Sequence, residues 1–247
     1  MERELKQFID QTMAKGATYV DARWYPFEES NSLVMWNGNL KALNASSESG
    51  VGVRVLYRGA WGFSASSSIG NLGDIFDKAY DNARVAAERV TFPVRLAEKD
   101  SLQASFSSPN EIDPFTVPMS EKVAFLQKMD MALNQPGVVQ RITAVEFVKK
   151  KIIFLDSEGS QIEKTIIDVF PMIMVMGMDK DGGMQRRKFR AGRLGKTRGW
   201  ETLDTEFFTA QAERIVRELN ELLVAEDCPK DRCSVILLPG IMFLQTH

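Results

Sequence analysis

The sequence predicts an α+β protein of two sub-domains, each a mainly antiparallel sheet with packed helices, followed by the start of a further domain. Three observations predict it. Apolar residues recur at helical spacing in four segments, and the runs between them alternate with a period of two or are rich in β-branched residues. Two turn signals, Asn37-Gly38 and Arg58-Gly59, join neighbouring runs of the second kind, as antiparallel hairpins require. A stretch holding Pro93, Pro109, Pro114 and Pro118 separates two such sets of elements, so a helix–strands–helix layout occurs twice.

The first helix spans residues 2–15, with Leu5, Phe8, Ile9, Thr12 and Met13 on one face and Gly16 as its stop. Thr18–Glu29 reads as a strand, and Leu33–Trp36 and Leu40–Leu43 form a hairpin about Asn37-Gly38. Val51, Val53, Val55 and Tyr57 alternate along a second hairpin that turns at Arg58-Gly59 and returns over Ala60–Ser66. Gly50 and Gly52 leave one of its faces thin, open to another backbone or an aromatic ring. A helix over residues 72–90 carries a stripe of Leu72, Ile75, Phe76, Ala79 and Ala83 and closes the first sub-domain at about residue 92. Residues 93–117 read as a linker or surface excursion.

The second sub-domain, residues 118–232, opens with a helix over 120–134 capped by Ser120. Strands follow at 138–148, 151–156, 160–169 and 171–178, with turns at 156–159 and 179–183. A basic stretch over 184–199 precedes a helix over 205–225. Residues 233–238 read as an apolar strand, broken by Pro239-Gly240 before a possible helix start. Ending there, on the chain's single histidine, the segment 233–247 reads as the start of a truncated C-terminal domain.

Composition limits the function classes. The 247 residues are 44% hydrophobic and 26% charged with a net charge of −2, so no general attraction to nucleic acid or anionic membrane is expected. No run is long enough to span a bilayer, and the amphipathic start is unlike a signal peptide. Cys228 and Cys233 read as thiols of a reducing cytoplasm, because no further Cys or His stands near them to build a zinc site. A lone imidazole rules out any upstream Ser-His-Asp set.

Three segments carry a resemblance. Gly50–Ser67 (GVGVRVLYRGAWGFSASS) resembles the N-terminal signature of the TldD/PmbA family. Phe189–Gly195 (FRAGRLG) with Gly199–Glu201 is similar to the family's Arg/Gly-rich stretch, and Val235–His247 (VILLPGIMFLQTH) to the entry into the catalytic motif of its TldD branch. In that branch the motif is H-E-x-x-x-H: two histidines and a distant cysteine hold the metal, and the glutamate is the general base. The resemblance implies that His247 is a metal ligand and that the parent is a zinc-dependent peptidase of unfolded or small peptides. It implies a cytoplasmic dimer, homodimeric or paired with a PmbA-like subunit. No catalytic residue falls within the 247 residues, so the fragment itself is expected to be inactive and to bind no zinc tightly. A non-catalytic PmbA-like partner or peptide-binding module stands as the alternative reading. A nucleic-acid-linked regulator, after the family's description as modulators of DNA gyrase, is the second.

Each conspicuous residue also has a plainer role. The run Gln185–Arg198 holds seven basic residues and no acid. It reads first as a solvated hairpin or loop, then as a contact for an extended peptide, and last as a nucleic-acid surface. Met172, Met174, Met176 and Met178 alternate along one strand face, read as core with a pliable peptide contact as the alternative. Asp179 and Asp181 read as a turn, lacking the further acids of a calcium loop. Trp24, Trp36, Trp61 and Trp200 read as core or interface anchors.

Overall fold

Helices and strands alternate in blocks along a computed structural model, which describes residues 1–190, 195–228, 230–232 and 234–246. The elements are α1 (Glu2–Ala14), β1 (Tyr19–Trp36), β2 (Asn39–Tyr57), β3 (Ala60–Ser66), α2 (Leu72–Ala87), β4 (Gln103–Ser107), α3 (Met119–Leu133), β5 (Gln140–Asp156), β6 (Gln161–Met178), β7 (Met184–Arg190), α4 (Thr205–Leu223) and α5 (Pro239–Thr246). The strands form a seven-stranded sheet in the order β3-β2-β1-β5-β6-β4, with β7 also paired to β6. It is mainly antiparallel, with β4 parallel to β6, and the class is the α+β predicted.

Two compact units divide the chain in space. One comprises residues 1–31, 44–110 and 147–168; the other comprises 32–43, 111–146 and 169–247. The four long strands β1, β2, β5 and β6 contribute residues to both. The sequence segments above divide the chain lengthwise, whereas these units divide it in space.

In the first unit, Val20 and Ala22 of β1 and Val51, Val53 and Val55 of β2 pack with Leu5 and Ile9 of α1 and Leu72, Ile75, Phe76 and Ala79 of α2. The β2–β3 hairpin turns at Arg58 and Gly59, both at positive φ, as a type I′ turn demands. Its register pairs Tyr57 with Ala60 and Val55 with Gly62. Gly62 is where α2 lies on the hairpin: a Cβ there would collide with the Ala79 carbonyl and the Ala83 amide. Asn71 caps α2 by accepting from the Asp74 N–H.

In the second unit, Asn37-Gly38 forms the other positive-φ turn. It is anchored from two sides. Asp130 of α3 accepts from the Gly38 N–H at 2.9 Å and from Arg141 Nε of β5 at 2.8 Å. Asn37 Oδ1 accepts from the Arg141 N–H at 2.9 Å. Leu126, Met129 and Leu133 of α3 and Phe208, Ala212, Ile215 and Leu219 of α4 are buried, and Asp204 caps α4 through the Glu206 and Phe207 N–H groups.

Several expectations need correction. The five strand segments expected before α2 prove to be three strands, because Thr18–Glu29 continues through Ser30–Ser32 into Trp36, and Leu40–Leu43 continues through Asn44–Gly50 into Tyr57. Likewise 138–148 joins 151–156 as β5, and 160–169 joins 171–178 as β6. The Pro-rich stretch holds β4, whose register runs Gln103↔Gln161 to Ser107↔Thr165. Ser120 does not cap α3: the N-cap is Pro118, without a side-chain bond. Among the described residues of 234–238 there is no strand, and α5 follows.

Gly62→Ala is expected to destabilise the fold by about 1–3 kcal/mol, the usual range for over-packing, read as a lower urea midpoint with unchanged slope. An unaltered midpoint would mean that α2 does not lie against β3 at this glycine.

Candidate functional site

The face of the first unit turned away from α1 and α2 gathers the signature hairpin and an unusual set of charges. Strand alternation puts Tyr19 and Asp21 of β1 opposite the core residues Val20 and Ala22, and Arg54 of β2 opposite Val53 and Val55. Asp21 is fully buried, and Arg54 grips it through Nε and Nη2 at 2.9 and 2.6 Å. The guanidinium lies 5.0 Å over the Trp61 ring, and Trp61 meets Tyr19 edge-on at 5.9 Å. Phe63 lies against Gly52, where a Cβ would be 3.4 Å from its ring. That is the aromatic approach expected of a thin glycine face.

A second ion pair closes the same neighbourhood. Asp156, at the end of β5, accepts from Lys99 Nζ at 2.5 Å, and its Oδ1 accepts from the Glu158 and Ser160 N–H groups. Burial favours the neutral acid, but the bonds from Lys99 and Ser160 outweigh it and hold the carboxyl below its ordinary range. The bond to Asp156, with a further one to Glu158, keeps Lys99 above its usual range, and its ammonium stands 5.9 Å over the Tyr19 ring. Burial, with Asp21 and Asp156 close by, pushes the Tyr19 hydroxyl up, so it stays protonated at neutral pH. Between this array and the hairpin opens a cavity of about 490 Å³, bordered by Arg23, Ser49, Gly50, Arg54, Phe63 and Ser66. It offers hydroxyls, guanidinium groups and an aromatic ring. Its lining residues include no paired nucleophile and base.

The second unit places the basic run. Met184–Arg190 forms β7, antiparallel to β6, with Met176↔Arg186 and Met174↔Lys188 in register. Phe189 packs on Phe207 and Phe208 of α4, Arg214 stacks 5.5 Å from its ring, and Arg187 pairs with Glu218 at 3.9 Å. The expected hairpin is therefore present, and residues 191–194 of the run lie outside the described residues. The methionines are not core. Between the methionines of β6 the buried side chains are Ile173 and Val175, continuing the row of Ile167 and Val169; Met172, Met174 and Met176 are half-buried, and Met178 is 55% exposed. Asp179 makes the predicted turn, its Oδ1 accepting from the Asp181 and Gly183 N–H groups. Trp24, Trp61 and Trp200 serve as half-buried anchors, whereas Trp36 is 39% exposed.

The sequence-predicted metal ligand, His247, lies outside the described residues, as does Cys233; Cys228 is exposed. Among the described residues no three of His, Cys, Asp and Glu are grouped to hold a metal ion, so the described side chains do not fit a catalytic zinc. The chain's single histidine could at most supply one of the three protein donors that such a zinc takes. No helix among the described residues is long and apolar enough to cross a membrane.

Residues 27–83 match the first domain of PmbA/TldA metallopeptidases, and residues 112–223 match their central domain. The chain belongs to the TldD/PmbA family. A metalloprotease of Methanocaldococcus jannaschii is 27% identical over 231 residues, covering 93% of this chain and 50% of the relative. A metalloprotease of Methanothermobacter thermautotrophicus is 26% identical over 218 residues, covering 88% and 46%. The chain thus spans about half the length of the curated relatives it matches. A Thermotoga maritima protein described for modulation of a DNA gyrase shares the fold, with a TM-score of 0.68 at 18% identity over 93% of this chain and 50% of that one. TldE from Thermococcus kodakarensis does so at 0.57 and 11%, over 87% and 47%.

The two buried carboxylates, Asp21 and Asp156, went unnoticed in the sequence. A single acid inside a strand-like run, Asp21 within Tyr19–Ala22, was the available signal.

Arg54→Met is expected to cost about 2–3 kcal/mol, the lower end for orphaning a buried carboxylate because the guanidinium is partly exposed. In urea titrations, adding Asp21→Asn should recover part of the loss. A change under about 0.5 kcal/mol would dismiss the pair. Asp156, with a depressed carboxyl, stabilises the fold above the unfolded-chain value near pH 4 and loses that contribution as pH falls through its lower folded value. Asp156→Asn should therefore flatten the fall in stability below about pH 4. An acid limb with the same slope in the variant would contradict this.

Proposed function

We propose that the chain contributes the first and central domains of a TldD-type, zinc-dependent peptidase that acts on unfolded or small peptides. The observation that carries this reading is the succession of two metallopeptidase domains along one chain, backed by relatives named metalloprotease over most of its length. Residues 233–247 then belong to the domain that carries the metal site, and His247 is one of its ligands. The zinc, when bound, would polarise a peptide carbonyl and activate water. The 247 residues alone lack that chemistry. Their work is to bind: the hydroxyl- and guanidinium-lined cavity of the first unit and the strand edges suit extended backbone. The assembly is a cytoplasmic homodimer, or a heterodimer with a PmbA-like subunit. A non-catalytic PmbA-like partner is the competing reading, and the register of His247 with the metal motif argues for the TldD branch.

Two measurements test this. Sequencing the reading frame beyond the His247 codon should reveal an acidic residue next and a second histidine five positions after His247. The product of that whole frame should hydrolyse an unfolded peptide in a chelator-sensitive way, and His247→Ala should lower kcat at least a thousandfold with loss of bound zinc, an effect on the order of 4 kcal/mol. Full zinc occupancy in the variant would dismiss His247 as a ligand; a frame without the acid and second histidine would favour the non-catalytic partner.

A further inference from the structure

The second unit presents one sheet face that neither α3 nor α4 covers. In β6 the side chains of Ile173 and Val175 are buried, which turns Met172, Met174, Met176 and Met178 to the opposite side. The β7 register places Arg186 beside Met176 and Lys188 beside Met174 on that same side, because directly paired residues share a face. Both cations are exposed, and neither makes an ion pair or hydrogen bond among the described residues. Arg187, between them, points the other way and pairs with Glu218 of α4. Met184, 49% exposed, extends the apolar row, and a cavity of about 500 Å³ at the edge of this face is lined by Met176, Met184, Gln185 and Arg186 together with Arg187 and Leu222 from the α4 side.

We propose that this face docks an acidic, apolar polypeptide segment. Four thioethers in a row make a soft, adaptable apolar strip of the kind that accommodates varied side chains. A row of guanidinium and ammonium groups one strand away, about 4.8 Å, supplies the charge. Arg186 and Lys188 are two residues apart, so the cations repeat at about 6.8 Å. Carboxylates at alternate positions of an extended segment, or four apart on a helix, match that repeat, with apolar side chains left to lie on the methionines. The charge complementarity selects an acidic occupant over a basic one, and the apolar methionine strip beside the cations selects a polypeptide over a nucleic acid, whose bases call for aromatic platforms. This surface stands apart from the peptidase reading and does not depend on it.

The test uses fluorescein-labelled, end-blocked 12-residue peptides of alternating leucine and glutamate, with alternating leucine and lysine as control, titrated with the 247-residue chain by anisotropy. The leucine–glutamate peptide is expected to bind at least tenfold tighter than the control. Arg186→Glu with Lys188→Glu should weaken it at least tenfold, as should Met174→Ser with Met176→Ser, with unchanged circular dichroism. If the charge reversal disturbs folding, Arg186→Ser with Lys188→Ser reads the same contact. Equal binding of both peptides, or indifference to both pairs of substitutions, overturns the proposal. So does tighter binding of a labelled 12-mer oligothymidylate, which would assign the face to nucleic acid. Light scattering that shows a stable dimer broken by the same substitutions, without peptide binding, would assign it to a second copy and overturn the proposal as well.

Discussion

The alternation of β6 is the constraint on which the second unit depends. A strand sends successive side chains to opposite faces, so once Val169, Ile173 and Val175 are committed to the core, every methionine between and beyond them must face away. The partner strand has no freedom either. Its pairing with β6 puts Phe189 and Arg187 on the helix side, where α4 meets them with Phe208 and Glu218, and leaves Arg186 and Lys188 outside. A shift of one residue would bury four methionines in place of Ile173 and Val175 and drive two cations under a helix. That penalty pins the register.

The open sheet faces of the two units solve different problems. In the first, the face away from the helices is saturated: Asp21 is gripped by Arg54, Asp156 by Lys99, and the aromatic rings of Trp61 and Tyr19 lie between the cations. Buried carboxylates held this way cost desolvation and add little net stability, but they fix one arrangement of strands, since any other orphans a charge. In the second, the corresponding face is left soft and half-exposed.

Much of this was legible in the sequence, and the exceptions have physical causes. Asn37-Gly38 and Arg58-Gly59 announced their hairpins because few other pairs tolerate consecutive positive φ. The stripes of α1, α2 and α4 were visible because each helix buries a single face. Strand lengths were not. Ser30–Ser32 and Asn44–Gly50 look like loops because strands that run past their core carry polar residues on both faces. The gap at Phe170 closes within β6, and Pro171 is tolerated because it falls between the stretch of β6 paired with β4 and the stretch paired with β7 among the described residues. β4 hides in a Pro- and Ser-rich stretch because its five residues are all exposed and leave no hydrophobic pattern. The methionine row misled because a period of two reveals which residues share a face, never which face is buried. At the site, the pair Asp21–Arg54 joins residues 33 apart in sequence, and nothing local links them.

The orientation of β6 is open to direct measurement. Brief peroxide treatment of the folded chain, followed by peptide mass spectrometry, ranks methionines by access of the oxidant to sulfur. Met131 and Met178, 72% and 55% exposed, should oxidise fastest, with Met174 and Met176 well ahead of Met35 and Met129, which are 1% and 0% exposed. Protection of Met174 and Met176 to the level of Met129 would mean that this row faces the core, and the account of the second unit would be wrong.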